Sequence, residues 1–342
     1  MKYLRNAWYA AGWERELSDR PLARTFLGEP VMIVRRPDGT LAALKDACPH
    51  RFAPLSLGRF DGDRITCPYH GLAFDLSGAC VDNPHGRGSR PQSLCVKTYP
   101  MTVANGMLWI WMGEPSGAAA ICPPAYSFLS DPKLATVSGY LHVNAHYELV
   151  ADNLLDLSHV EYLHPFLGPP GSSKGIVYKA VQDGDRVSAY HDMPGQPIPA
   201  LFKMLVDPSV TRIDGRAYMH WQAPSNLMLE TGAKPLDQTS DPGAQILWVH
   251  LLTPETETST HYFWGASRDR MLDNAEFDRA FTAGVANAFE NEDEPMVRAV
   301  QSRMAGQELF SLRPALLPMD EAAVRARRTL KRLIEAEQLP AT

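Results

Sequence analysis

Four residues in the first third of the chain have types and spacing that suit a metal cluster. ACPHR supplies Cys48 and His50 with one residue between them, and TCPYHGLAFD supplies Cys67 and His70 with two; 16 residues separate the pairs. Pro49 and Pro68 stiffen the two turns. Two cysteines and two histidines are also a tetrahedral zinc set, but zinc sites usually group like ligands, as C-x2–4-C and H-x3–5-H. Here each loop carries one sulfur and one nitrogen donor. That mixture suits a [2Fe-2S] cluster, one iron held by both thiolates and the other by both imidazoles, and imidazole in place of thiolate raises the cluster potential. Buried thiols with core histidines are the ordinary alternative. Cys80, Cys95 and Cys122 share no such spacing and are expected to be packed thiols.

A second constellation lies in DNLLDLSHVEYLHP, Asp152 to Pro165. On a helix, Asp152, Asp156 and His159 share one face at i, i+4 and i+7. The leucines between them indicate burial, where ionisable groups are costly unless paired or bound to metal. His164 is five residues past His159, about 140° around at 100° per residue. A regular helix would not aim both imidazoles at one point, so the segment is expected to bend or unwind near Tyr162, with Pro165 stopping it. Two histidines and one carboxylate form the facial triad of non-heme Fe(II) oxygenases, which keeps positions open for O2 and substrate. A metal-bound histidine donates its other N–H to a carboxylate, a place Asp156 can fill for His159. Asp152 is as readily a cap or an ion-pair partner. In FENEDEPMVRAV, Phe289, Asp293, Met296 and Val300 fall on one helical stripe, with Glu292 one step off it; periodicity separates the two acids poorly. Pro295 provides a kink that can aim a carboxylate inward.

The elements that carry these residues change character along the chain. Residues 1 to about 112 read as β-rich. Val31–Val34 and Leu41–Leu44 flank a turn at Pro37-Asp38-Gly39, and Cys95–Val103 and Met107–Met112 flank Asn105-Gly106. A Pro/Gly/Ala/Ser-rich stretch then reads as a linker. Beyond it come a strand near Ser138–Val143, a helix from about Asn144 to Tyr162, and a Pro/Gly-rich loop after it. Several strands span about 176–263, with a break over 233–245. A long helix runs from Asn274 to about Met304, and a last one covers Glu321 to about Glu337, with Asp320 as its N-cap. The division is 1–115, a linker at 116–135, and 136–342. The fold class is α+β: an all-β cluster domain followed by a domain of helices and antiparallel sheet.

Composition excludes other classes. Net charge is −6 and there is no basic run, which argues against nucleic acid. No run of 18 apolar residues offers a membrane span, and the N-terminus lacks the apolar core of a signal peptide. An odd five cysteines suit a reducing cytoplasm. No G-x-G-x-x-G follows a strand and no C-x4-C-x2-C occurs, so neither a Rossmann site nor a plant-type ferredoxin is expected in this chain.

The pattern C-x-H-x16-C-x2-H followed by Gly-Leu resembles the Rieske family. D-N-x2-D-x2-H-x4-H resembles the iron-binding segment of Rieske oxygenases. RNAWYAAG, CPHRFAPLS, NPHGRGSRP and LLTPETETSTHYFWG are similar to the vanillate O-demethylase and dicamba monooxygenase group. This resemblance implies a terminal oxygenase with a Rieske [2Fe-2S] cluster on Cys48, His50, Cys67 and His70. It implies a mononuclear Fe(II) on His159, His164 and Asp293, with Asn153 nearby. It implies that Asp156 bridges to His70 of the partner subunit in a ring-shaped homotrimer, as the electron path. Electrons come from a separate NAD(P)H-dependent reductase, with or without a ferredoxin. The reaction implied is O-demethylation of a methoxylated aromatic acid with O2, with formaldehyde released. Ring or benzylic-methyl hydroxylation is the alternative, and a Rieske electron carrier without oxygen chemistry a remoter one. His250 matches a substrate-contacting histidine of the group. Trp221, Met228, Trp264 and Phe289 are candidates for a pocket wall; 166–245 is hard to register.

Overall fold

A computed structural model describes residues 2–164, 166–236 and 243–338. Pro165 and residues 237–242, inside the expected break over 233–245, lie outside the described residues. The chain divides into one unit of Lys2–Ala125 with Thr253–Thr256, and a second of Tyr126–Leu252 and the chain from Glu257 onward.

The first unit is built from three small sheets. Both expected hairpins form. Glu29–Arg35 pairs with Leu41–Lys45, and Met101–Ala104 with Met107–Trp111. Asn105 and Gly106 both have positive φ, 52° and 74°, the backbone that a two-residue type I′ turn requires. The strand expected from Cys95 to Val103 is instead broken at Pro100, which has no N–H to give a ladder. Thr98–Tyr99 pairs with Leu41–Lys45, while Met101–Ala104 joins a different sheet. A third sheet, Arg59–Phe60, Arg64–Thr66, Ala73–Asp75 and Cys80–Asp82, carries the second Cys/His loop.

The second unit is organised by a seven-stranded sheet. Its order is Ala135–Val143, Ser259–Arg268, Ala244–Thr256, Asn226–Pro235, Arg212–Gln222, Arg186–Pro197 and Val177–Asp183. Cross-strand register lines up rows of side chains on one face. One row is His191, Ala217, Thr231 and Ile246; the next is Ala189, Met219, Leu229 and Trp248; a third is Val187, Trp221, Leu227 and His250. Residues directly opposite on neighbouring strands share a face.

The expected helix from Asn144 is shorter and broken. Tyr147–Leu155 is α-helical, Leu157–His159 is one 3-10 turn, and Val160–Leu163 is a last α turn. The break falls at Asp156 (φ −107°, ψ 90°), not near Tyr162. Its cause is local: the Asp156 carboxylate accepts from the main-chain N and the hydroxyl of Ser158. An aspartate that bonds the backbone two residues on competes with the helix.

The long late helix starts at Ala275, capped by the Asn274 side chain, which accepts from Phe277 N. It runs to Asn287, widens into a π-helical segment over Ala288–Asp293, and continues as Glu294–Met304. The expected Pro295 kink takes this form. Pro295 has no N–H for the carbonyl four residues back, and π segments relieve such a mismatch by one wider turn. The last helix is Glu321–Glu337; Asp320 stands at its N-cap as expected but makes no side-chain capping bond, its carboxylate accepting instead from Leu317 N of the preceding 3-10 turn. None of the described helices is long and apolar enough to cross a membrane.

Candidate active site

The two Cys/His loops of the first unit are built alike. Cys48 N donates to Ala53 O and Phe52 N to Cys48 O; Cys67 N donates to Leu72 O and Gly71 N to Cys67 O. The fifth residue of each loop has a left-handed backbone, φ 59° at Phe52 and 72° at Gly71. Glycine adopts this readily and phenylalanine does not, and Phe52 is 75% exposed. Both cysteines are buried, while His50 is exposed and His70 half-buried. The His50 and His70 rings stand edge to face, 4.6 Å between centroids. His85 of the NPHGRGSRP stretch donates through Nε2 to the His70 carbonyl at 2.6 Å. Burial pushes the Cys48 thiol up to about 11, against the His50 main-chain N–H, and Cys67 beside it adds to the rise. Neighbouring buried thiolates need a cation, so the donor set fits a thiolate–imidazole cluster. Cys95 and Cys122 are exposed rather than packed.

In the second unit, His159, His164 and Asp293 converge. One ligating atom from each lies within 4.8 Å of the others. His159 Nε2 is 3.3 Å from His164 Nε2, and Asp293 Oδ1 is 3.5 Å and 3.2 Å from them. Each residue is held from behind by a different partner. His159 Nδ1 donates to the Asp156 main-chain carbonyl at 2.5 Å. His164 Nδ1 donates to Glu292 Oε2 at 2.7 Å. Asn153 Nδ2 donates to Asp293 Oδ1 at 3.2 Å. The carboxylate partner expected of Asp156 is therefore its carbonyl, because the carboxylate is engaged by Ser158. A carbonyl only accepts, which assigns the His159 proton to Nδ1 and leaves Nε2 a lone pair. Two lone pairs and a carboxylate oxygen facing one point repel one another unless a cation lies between them, so these residues fit a metal ion.

The protonation tendencies agree with this. Burial lowers the His159 pKa against the opposing charge of Asp293. At His164 burial also lowers it, but hydrogen bonds and charge from Asp293 and Glu292 overcome that, and the net direction is up. A divalent cation would replace the proton held there. Asp152 does not share the metal face. It accepts from Arg327 Nε at 2.9 Å and Nη2 at 2.7 Å, and Glu148 accepts from Nη1 at 2.9 Å.

The triad opens on a cavity of about 170 Å³ lined mainly by apolar side chains, among them Leu157, Leu167, Met219 and Leu229. His250 and Phe289 line it. His250 Nδ1 is 2.7 Å from the Tyr262 hydroxyl, and its Nε2 has no partner among the described residues. Burial holds its pKa down to about 3, against the pull of Asp293, so the ring is neutral. Trp221 does not line the cavity. It lies two strands from His250 in the same row and, at 2% exposure, is enclosed in the core. Trp264 packs edge-on against Phe289 at 6.0 Å without reaching the cavity, and Met228 alternates away from the rows that do. Three lining residues in the unregistered region, His191, Gln196 and Thr231, and Trp248 just beyond it carried no local signal. Only the cross-strand register brings them together.

A cluster-type Cys/His domain beside a domain holding a two-histidine, one-carboxylate site defines the Rieske non-heme iron oxygenases. Residues 7–100 match the Rieske [2Fe-2S] domain and residues 143–336 the vanillate O-demethylase oxygenase C-terminal domain. The chain belongs to this family of monooxygenase oxygenase components, whose chemistry uses a Rieske cluster, mononuclear iron and O2. It is 38% identical over 337 residues to the oxygenase component of dicamba O-demethylase from Stenotrophomonas maltophilia, covering 98% of this chain and 99% of that one. It is 38% identical over 340 residues to the oxygenase component of chloroacetanilide N-alkylformylase from Rhizorhabdus wittichii, covering 99% and 97%. A crystal structure of dicamba monooxygenase bound to 3,6-dichlorosalicylic acid superposes with a TM-score of 0.92 at 38% identity, covering 99% and 100% of the two chains.

Proposed function

We propose that the protein O-demethylates a methoxylated aromatic acid, with the cluster on Cys48, His50, Cys67 and His70 and the iron on His159, His164 and Asp293. The observation that carries this reading is the convergence of the triad on the wall of an apolar cavity. When bound, the iron with O2 supplies the oxidant. One oxygen atom enters a methyl C–H bond, and two electrons and two protons reduce the other to water. The resulting hemiacetal breaks its C–O bond to give the phenol and formaldehyde.

The chain's own residues set the geometry. The Asp156 carbonyl and Glu292 fix the two imidazoles through Nδ1–H, and Asn153 holds one oxygen of Asp293. Leu157, Met219, Leu229 and Phe289 exclude water from the reacting carbon. His250, neutral and with Nε2 free, can hydrogen-bond the substrate's acid group. The two electrons come from an NAD(P)H-dependent reductase, directly or through a ferredoxin, entering at the exposed His50 edge. In a homotrimer, Asp156 would bridge to His70 of the partner subunit. A cytoplasmic setting, without nucleic acid or membrane, suits the charge and cysteine usage.

The test is a panel of methoxybenzoates with the holoenzyme and a surrogate reductase. Formaldehyde formed in step with O2 uptake is the expected result. A hydroxylated product without formaldehyde would replace demethylation by ring or methyl hydroxylation, and no product with any member would leave an electron carrier.

Glu292→Ala is expected to weaken Fe(II) binding by about 10–100-fold, as loss of a histidine's rear partner does elsewhere. Glu292→Gln should lose less, because its carbonyl still accepts from His164 Nδ1. Iron titration followed by metal analysis reads both; equal affinity in Glu292→Ala and wild type would show that the contact is idle.

A further inference from the structure

The cavity has a second polar point that the demethylation reading leaves unused. His191 lines it and is only 1% exposed, and neither ring nitrogen has a hydrogen-bond partner among the described residues. A core histidine is ordinarily satisfied by its neighbours. The neighbouring polar groups are bonded elsewhere, and the Ala217 main chain opposite, which favours the ring's proton, makes no bond of good geometry to either nitrogen. Directly opposite on the next strand is Ala217. Beyond it, Thr231 accepts from Trp248 Nε1 at 2.9 Å and donates to Ile246 O at 3.2 Å. The Gln196 amide donates to Lys174 O at 2.6 Å. Tyr178 meets the imidazole ring to ring, 5.0 Å between centroids, and its hydroxyl oxygen accepts from Ala322 N. Two polar atoms therefore carry the cost of desolvation with nothing returned. Rotation of the imidazole about its Cβ–Cγ bond is enough to offer a nitrogen to a ligand.

His191 and His250 are far apart on the same sheet face. Three strand spacings separate them, roughly 14 Å, and the register offsets them further by the four residues from Ile246 to His250. Both histidines line the cavity onto which His159, His164 and Asp293 open. Glu161 and Arg216 are among the residues that line the cavity, and the Glu161 carboxylate accepts from Gly171 N and Ser173 N. The Arg216 side chain is on the opposite face, its guanidinium where a side chain on Gly232 would stand. A neutral imidazole offers one N–H and one lone pair, which match a group that is itself donor and acceptor.

We propose that His191 is a specificity-determining residue and that the substrate carries, on the side of the ring turned from His250, a neutral group able both to donate and to accept a hydrogen bond, a hydroxyl being the simplest. This rests on the oxygenase reading above.

The experiment uses holoenzyme and pairs of methoxybenzoates that differ only by hydroxyl or methyl at one ring position, with binding measured by calorimetry and turnover by formaldehyde. The wild type is expected to bind the hydroxyl member of at least one pair about 10-fold more tightly, the scale of one buried hydrogen bond. His191→Leu should abolish that preference, and His191→Gln, which keeps a donor and an acceptor, should retain part of it. Preference surviving in His191→Leu, or absent from every pair in the wild type, overturns the proposal. If His191→Leu does not fold, His191→Phe, which keeps a ring and carries no polar atom, makes the same comparison. Because binding is read apart from turnover, a panel that gives no formaldehyde defeats the demethylation reading and leaves this one to its own result.

Discussion

His159→Ala should end turnover and leave the visible spectrum of the cluster unchanged. His159 Nε2 is one of three ligating atoms converging on one point. Alanine removes it, leaving His164 and Asp293, too few to fix a facial arrangement. The several kcal/mol that a correctly held metal contributes to catalysis correspond to a fall of at least about 10³-fold. The cysteines and histidines of the cluster loops lie in the other unit and hold themselves by their own turns, so the cluster has no local reason to change. Metal analysis should show iron reduced to that of the cluster. Full activity in His159→Ala would show that the reaction does not use this site.

Arg327→Met should cost the second unit about 3–5 kcal/mol, the scale for removing one partner of a buried ion pair. Arg327 is 9% exposed and binds two acids of the metal helix, Asp152 through two nitrogens and Glu148 through the third. Burial raises the pKa of both acids, and the guanidinium charge opposes it. Without Arg327 the two buried carboxylates lose their counter-charge and must take up protons or water. For a unit of about 200 residues, the loss should lower the melting temperature by roughly 6–20 °C. Neutralising the acids as well, in Arg327→Met with Glu148→Gln and Asp152→Asn, should recover most of it, since the buried charges are then gone. A single-variant loss below about 1 kcal/mol would mean that water already satisfies the network.

The cluster loops were legible because their structure is local. A proline after each cysteine, a histidine two or three residues on and a left-handed fifth residue make one turn each, whatever the rest of the chain does. The hairpins at Gly39 and Asn105-Gly106 were legible for the same reason, whereas the break at Pro100 depended on which sheet each half joined. The His159/His164 pair could be read as convergent from its spacing, but the position of the bend could not. It was set by a side-chain contact of Asp156 to Ser158, which competes with the helix on nearly equal terms.

By itself the sequence determined the local turns that carry the two Cys/His pairs, the spacing that lets His159 and His164 converge, the β-rich first domain and the presence of helices around His159 and Asp293. These follow from spacing, periodicity and turn chemistry, which act over a few residues. Tertiary structure set Asp293 beside the two imidazoles and Glu292 behind His164, an arrangement that periodicity separates poorly because the two acids differ by one step in a π segment. It also decided the tie from Asp152 to Arg327, 175 residues away, and the row that sets His191 against the cavity. Contacts between residues so distant in the chain depend on how sheet and helices pack, and no local pattern encodes them.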